Sequence, residues 1–155
     1  MSAVYPFIAL TWCWASWAKK MDRNHRVKWT GDLSFVGTAE SGHSMVIDSD
    51  KHIGASPMEL LLLSMASCAC IDFVMILEKG RQKLSDAWIE IGGVRREEMP
   101  KYYTHIEMHF VAKGKAIRES AVERAIELTL EKYCSASAQM AALADIQTSY
   151  EIIEE

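Results

Sequence analysis

Cysteine is the residue type with the most chemistry to offer in this chain, and it occurs at positions 13, 68, 70 and 134. Cys68 lies in the apolar run that begins Ser56-Pro57-Met58-Glu59, and Cys134 comes 66 residues later in Glu131-Lys132-Tyr133-Cys134-Ser135. A thiol can be nucleophile, metal ligand or one half of a disulfide, so the question is which cysteines can work together. Cys68 and Cys70 cannot do so on a regular helix. Two residues advance about 200° around the axis, which sends the sulfurs to opposite faces and forbids a shared metal or disulfide. Cys70 therefore reads as a small buried hydrophobe.

Cys68 and Cys134 are each open to two readings. Cys68 lies far from its helix N-terminus, gains little from the helix dipole, and is either a core cysteine or a nucleophile activated by a cation from another element. Cys134 stands where one helical pattern ends and another starts. If Ser135 opens that second helix, the free amides of its first turn favour thiolate; a buried cysteine at a junction is the alternative. Among other groups, Glu59 has a capping role to play. It lies about 180° around the helix from Cys68, so no contact between the two is expected. His105, Glu107 and His109 are metal-ligand types on one strand face, yet no fourth ligand is linked to them, and a solvated strand face explains the row. Neither a metal nor a cofactor is expected.

The elements that must hold these residues are marked by local chemistry. Ser56 can cap, Pro57 takes the first helical position and Glu59 completes a Ser-x-x-Glu capping box, so a helix is expected from here to Gly80. Leu60 to Leu77 is apolar nearly all round, broken only by Ser64, Ser67 and Asp72. Such a helix must be enclosed by protein or lipid. Its length suffices for a bilayer. Strand patterns on both sides, and Asp72 inside the run, favour a central core helix instead. Before it come short strands at Arg26 to Trp29, Leu33 to Ala39 and His43 to Asp48, with turns at Thr30-Gly31-Asp32 and Ser41-Gly42. After it come strands at Asp86 to Arg95 and Tyr102 to Val111. An amphipathic helix follows over Ile117 to Lys132 with Val122, Ala125, Ile126, Thr129 and Tyr133 on one stripe. A short helix from Ser135 to Ala144 and a strand from Ile146 to Ile153 complete an α+β pattern.

Composition bounds the partners. A chain of 155 residues, half of them apolar, can bury one core. Its 17 basic and 21 acidic residues give a net charge of -4 with no basic stripe, so nucleic acid is not an expected partner. Four cysteines are too few for a disulfide scaffold and lack the paired spacing of a structural zinc site, and a reducing cytoplasm fits best. Residues 4 to 18 are apolar and hold three of the five tryptophans. Their basic pair, Lys19-Lys20, follows rather than precedes the run, which argues against an export signal. Residues 1–25 are read as an appended extension, 26–155 as the domain, and no membrane role is expected.

Several motifs in order along the chain carry a family resemblance: Arg26-Val27-Lys28-Trp29, Ser56-Pro57-Met58-Glu59, Ile71-Asp72, Leu77 to Gln82, Arg95-Arg96-Glu97-Glu98, Thr104-His105-Ile106 and Glu131 to Ser135. The chain resembles the OsmC-like (osmotically inducible protein C / organic hydroperoxide resistance) family, nearest a bacterial subgroup of poorly defined function. The resemblance implies an intertwined homodimer with two long central helices wrapped by mixed sheets. It implies thiol-dependent reduction of organic hydroperoxides in stress defence, with Cys68 peroxidatic and Cys134 resolving, and reduction by a dithiol such as a lipoylated protein. Peroxidase members carry an acid directly after the proline, where this chain has Met58 and then Glu59. They also use an arginine of the N-terminal hairpin; the comparable turn here is Ser41-Gly42-His43, leaving Arg26 and His43 as substitutes. The alternative is a non-catalytic dimer, stress-associated or binding a small molecule, that lacks the activating Arg and Glu.

Overall fold

The computed structural model describes residues 24–155, so the expectations for residues 4 to 18 and for Cys13 lie outside the described residues. Two compact units meet at Ser56 and Pro57. The first holds three antiparallel strands in the order β1-β2-β3: β1 Arg26–Gly31, β2 Ser34–Thr38 and β3 Ser44–Asp48. Its first turn requires positive φ at both Gly31 (125°) and Asp32 (46°), the tight-hairpin chemistry that the Gly-Asp pair announces. Trp29 Nε1 donates to the Asp32 carbonyl at 2.8 Å and fastens that turn. The loop after β3 is organised by Asp48, which is buried. Its carboxylate accepts the backbone N–H groups of Asp50, His52 and Ile53 at 2.9 to 3.1 Å.

The second unit is built around helix α1, Pro57–Lys79, and a sheet in the order β4-β5-β6. Strand β4, Lys83–Arg95, pairs antiparallel with β5, Tyr103–Lys115, and β5 pairs parallel with β6, Asp145–Glu154. A parallel neighbour demands a crossover, and the helical segment between β5 and β6 supplies it. That segment is α2 Glu119–Leu128, a π-helical turn over Thr129–Tyr133, and α3 Ser135–Met140. Both long strands extend further than the alternation of their side chains implies. Their ends are bulged between Leu84 and Asp86 and between Val94 and Arg95, where a strict period of two breaks down. Beside the first bulge the Lys83 carbonyl occupies the space a Cβ at Gly114 would need, so only glycine fits there.

The core lies between α1, α2 and one face of the sheet. Met65, Ala69, Phe73 and Leu77 from α1 meet Ile106, Met108 and Phe110 from β5 and Val122, Ala125 and Ile126 from α2. Phe73 packs edge-on against Phe110, with ring centroids 5.1 Å apart, and burying each such ring contributes about 1.5–3 kcal/mol. The Tyr103 hydroxyl donates to the Met58 carbonyl at 3.0 Å and ties the start of β5 to the first turn of α1. The opposite face of β5 is wet, as the alternation requires. His105 and Glu107 are exposed there, His105 meets its neighbour Thr104, and His109 turns to Ser149 at 2.8 Å.

Helix α1 stops at Lys79, so Gly80 marks its far end as expected, and a Schellman motif closes it: the Gln82 and Arg81 N–H groups bond to the Leu77 and Glu78 carbonyls, and Arg81 takes the left-handed conformation (φ 57°). Two local expectations need correction. The helix over 117–132 is not regular to its end. Widening at Thr129–Tyr133 inserts a residue's worth of rotation and turns Tyr133, 48% exposed, off the stripe that buries Val122 to Thr129. The short helix stops at Met140 rather than Ala144, and Leu143 and Ala144 return their N–H groups to the Met140 carbonyl.

By length and composition α1 could cross a membrane, but one face of it forms the core of this unit. Its other face is apolar and uncovered. Leu63, Ile71 and Met75, eight and four residues apart along the helix, are 54%, 62% and 45% exposed. With Val74, Trp88 and Ile89 they border an open groove of about 600 Å³.

Candidate active site

Cys68 and Cys134 meet in the folded chain. Together with Asp72, their ligating atoms all lie within 4.8 Å of one another. Helix geometry explains the first half of this trio: Cys68 and Asp72 are four residues apart and occupy one face of α1. The π-helical turn explains the second. Its closing bond runs from the Cys134 N–H to the Thr129 carbonyl at 2.8 Å, and Cys134 then leaves helical geometry (φ -72°, ψ 98°) as the cap of α3. The extra residue in this turn sets where the sulfur falls relative to α1.

Cys134 is buried, at 2% exposure, and Cys68 is half-buried. The Cys134 sulfur accepts the Ser137 backbone N–H at 3.4 Å and the Ser137 hydroxyl at 3.0 Å. Thus the amide contact expected from a helix starting at Ser135 is present, but it does not decide the thiol's acidity. Burial pushes the Cys134 thiol up, the two Ser137 donors pull it back, and the adjoining Cys68 adds to the rise, with an upward net result. Cys134 is therefore held as thiol.

Cys70 stands apart, as its angular position requires. It borders the apolar groove, and burial, with Asp86 nearby, raises its thiol. Glu59 is in the first turn of α1, nine residues before Cys68, and is half-buried. Arg26 and His43 belong to the first unit. Arg26 is exposed on β1 opposite Thr38, and His43 Nδ1 meets the Ser41 hydroxyl at 3.0 Å in the turn before β3. Of the five residues picked out in the sequence, the second unit brings Cys68 and Cys134 together. Asp72 and Ser137 complete the cluster and were not singled out. Both were within reach of local rules: Asp72 is the i+4 neighbour of Cys68, and Ser137 stands at the third helical position, where a cap residue finds its donors.

Two neighbouring sulfurs, one accessible and one sheltered, with a carboxylate beside both, can cycle between dithiol and disulfide. A disulfide needs an S–S distance of about 2.05 Å, and side-chain rotation is the motion that closes such a gap. Comparison with known proteins gives the family and the fold. The family of OsmC-like proteins matches residues 48–149, a span that includes Cys68, Asp72, Cys134 and Ser137. Protein YhfA of Escherichia coli K12 is 41% identical over 129 residues, covering 83% of this chain and 96% of YhfA. A hypothetical protein from Aquifex aeolicus VF5, known as a crystal structure, is 34% identical with a TM-score of 0.77, covering 84% of this chain and 96% of that one. The organic hydroperoxide resistance protein OhrB of Bacillus subtilis shares the fold at 13% identity, with a TM-score of 0.56 over 82% of this chain and 97% of its own. With an α+β fold, two three-stranded sheets and a family match over the whole thiol cluster, the chain belongs to the OsmC-like family.

Proposed function

We propose that the protein reduces organic hydroperoxides through a two-cysteine cycle in which Cys68 attacks and Cys134 resolves. The observation that carries this reading is the approach of the two sulfurs to within 4.8 Å, with the half-buried Cys68 open to a substrate that the buried Cys134 cannot meet first. In the first step the Cys68 thiolate attacks the terminal peroxide oxygen and the O–O bond breaks. The alkoxide leaves as alcohol after taking a proton, and Cys68 becomes a sulfenic acid. Asp72 is close enough to relay the thiol proton directly or through one water. Cys134 then attacks the sulfenic sulfur, the S–S bond forms, and hydroxide leaves with the thiol proton as water. Dithiol exchange with an external reductant, for which a lipoylated protein has the right chemistry, restores both thiols.

The reading includes a homodimer. The uncovered stripe of Leu63, Ile71 and Met75 is apolar surface on a helix whose other face is already in the core, and a second copy of that stripe is a matching cover. An activating arginine and the acid directly after Pro57 are absent from the positions where peroxidase relatives have them. Arg26, His43 and Glu59 are the groups to test for those tasks. The non-catalytic alternative rests on the same absences.

A steady-state assay with cumene hydroperoxide and dihydrolipoamide tests the proposal. Turnover should be abolished by Cys68→Ser and by Cys134→Ser, and it should survive Cys70→Ser. Equal, slow oxidation of all thiols with no turnover would favour the binding module.

A further inference from the structure

The geometry points to a second use of the same cluster: Cys68, Asp72 and Cys134 form a binding site for a zinc ion, and its occupation excludes the disulfide. No linear motif announces such a site. The two cysteines lie far apart in sequence, and the carboxylate is supplied by helix periodicity rather than by a ligand signature.

Two thiolates and one carboxylate make a donor set that suits zinc and disfavours the hard, oxygen-seeking magnesium and calcium ions. Zinc bonds of about 2.3 Å to sulfur and about 2.0–2.2 Å to oxygen place tetrahedral ligand atoms roughly 3.5–4 Å apart. The three donors already stand within 4.8 Å of each other, so small side-chain rotations bring them to a common centre. Cys68 and Asp72 rise from successive turns of α1, whose interior position keeps that pair in register. Cys134 enters from the π-helical turn on the other side. Ser137, which donates to the Cys134 sulfur, orients that ligand from behind. Three protein ligands leave the fourth tetrahedral position for water.

The balance of the step is simple. On loading, both thiols give up their protons to solvent and zinc takes the two thiolates with the Asp72 carboxylate. If hydroperoxide then oxidises the pair, two electrons pass from the sulfurs to the O–O bond. Two protons are consumed, alcohol and water leave, the disulfide forms and zinc is freed because a disulfide is no thiolate ligand. This second half rests on the proposed peroxide cycle; zinc binding itself does not.

Reduced full-length protein is titrated with zinc against a chromophoric chelator, and cobalt(II) is added separately as a spectroscopic stand-in. One zinc per chain is expected, with cobalt giving thiolate charge-transfer and tetrahedral bands. Cys68→Ser, Cys134→Ser and Asp72→Asn should each weaken zinc by about tenfold or more, while Cys70→Ser leaves it unchanged. Zinc-loaded protein should lose thiols to cumene hydroperoxide more slowly than the metal-free form and release its metal as it does. No zinc uptake, or uptake insensitive to Asp72→Asn and Cys134→Ser, overturns the site. Octahedral cobalt bands without charge transfer overturn it in the wild type, free of any folding defect in a variant. Disulfide formation without zinc uptake refutes the metal site alone, and zinc uptake without peroxide-driven disulfide refutes the peroxide cycle alone.

Discussion

Ser137 holds the Cys134 sulfur from two directions, through its backbone N–H at 3.4 Å and its hydroxyl at 3.0 Å. This fixes the resolving thiol at the end of the π-helical turn and offsets part of the cost of burying it. Ser137→Ala keeps the amide and removes the hydroxyl. The Cys134 thiol should then rise further and disulfide closure should slow by about fivefold near neutral pH, as loss of roughly 1 kcal/mol of hydrogen bonding implies. Rapid-quench thiol counting reads this directly, with the first oxidation unchanged.

The pH sense of this thiol follows from the direction of its shift. Burial raises Cys134 above its ordinary 9.0, so the folded state favours the protonated form. Its contribution to stability is complete below that ordinary value and is lost as pH rises through the higher folded one. Urea denaturation from pH 7 to pH 10 should show wild type losing stability at the alkaline end. Cys134→Ser should lose less over the same interval.

Asp72→Asn tests whether the carboxylate handles the Cys68 proton. The substitution preserves shape and position on α1. Oxidation of Cys68 should slow by about tenfold or more while the thermal midpoint stays close to wild type, since general acid–base assistance is worth at least that much. An unchanged rate would leave Asp72 without a part in the peroxide reaction.

The fold was legible where local chemistry and burial agree. Ser56, Pro57 and Glu59 mark the start of α1, and the buried Ile106, Met108 and Phe110 alternate with the wet side of β5 as their spacing requires. Gly80 marks the end of α1 at Lys79, although Arg81 rather than the glycine takes the left-handed position. The π-helical turn was illegible because Thr129 to Tyr133 continues the helical apolar period, and only tertiary packing reveals that the register slips. The meeting of Cys68 and Cys134 could not come from spacing, since a crossover of two helices and a parallel strand intervenes. It came from the family resemblance, whereas Asp72 was readable from its four-residue offset.

That turn also contains an unusual buried group. Thr129 is fully buried and its hydroxyl has no hydrogen-bond partner among the described residues. Thr129→Val replaces the hydroxyl with a methyl of similar size. Stability should rise by about 1 kcal/mol, because an unpaired polar atom is costly to bury. A fall of that size on denaturant titration would mean that the hydroxyl is paired in solution.

Ile71→Glu places a charge in the uncovered apolar stripe of α1, at a position where Ile71 is 62% exposed. The intramolecular core does not include this side chain, so each chain should keep its secondary structure. Sedimentation velocity should show wild type as a dimer and the variant as a monomer. A monomeric wild type would contradict the proposed assembly.

The central claim is that Cys68 and Cys134 form one redox couple, and intact mass spectrometry after a single equivalent of cumene hydroperoxide tests it most directly. Wild type should lose two hydrogens with both Cys68 and Cys134 in one linked peptide, and Cys134→Ser should instead gain one oxygen on Cys68. Stable sulfenic acid on wild-type Cys68, or a disulfide that omits Cys134, would contradict it.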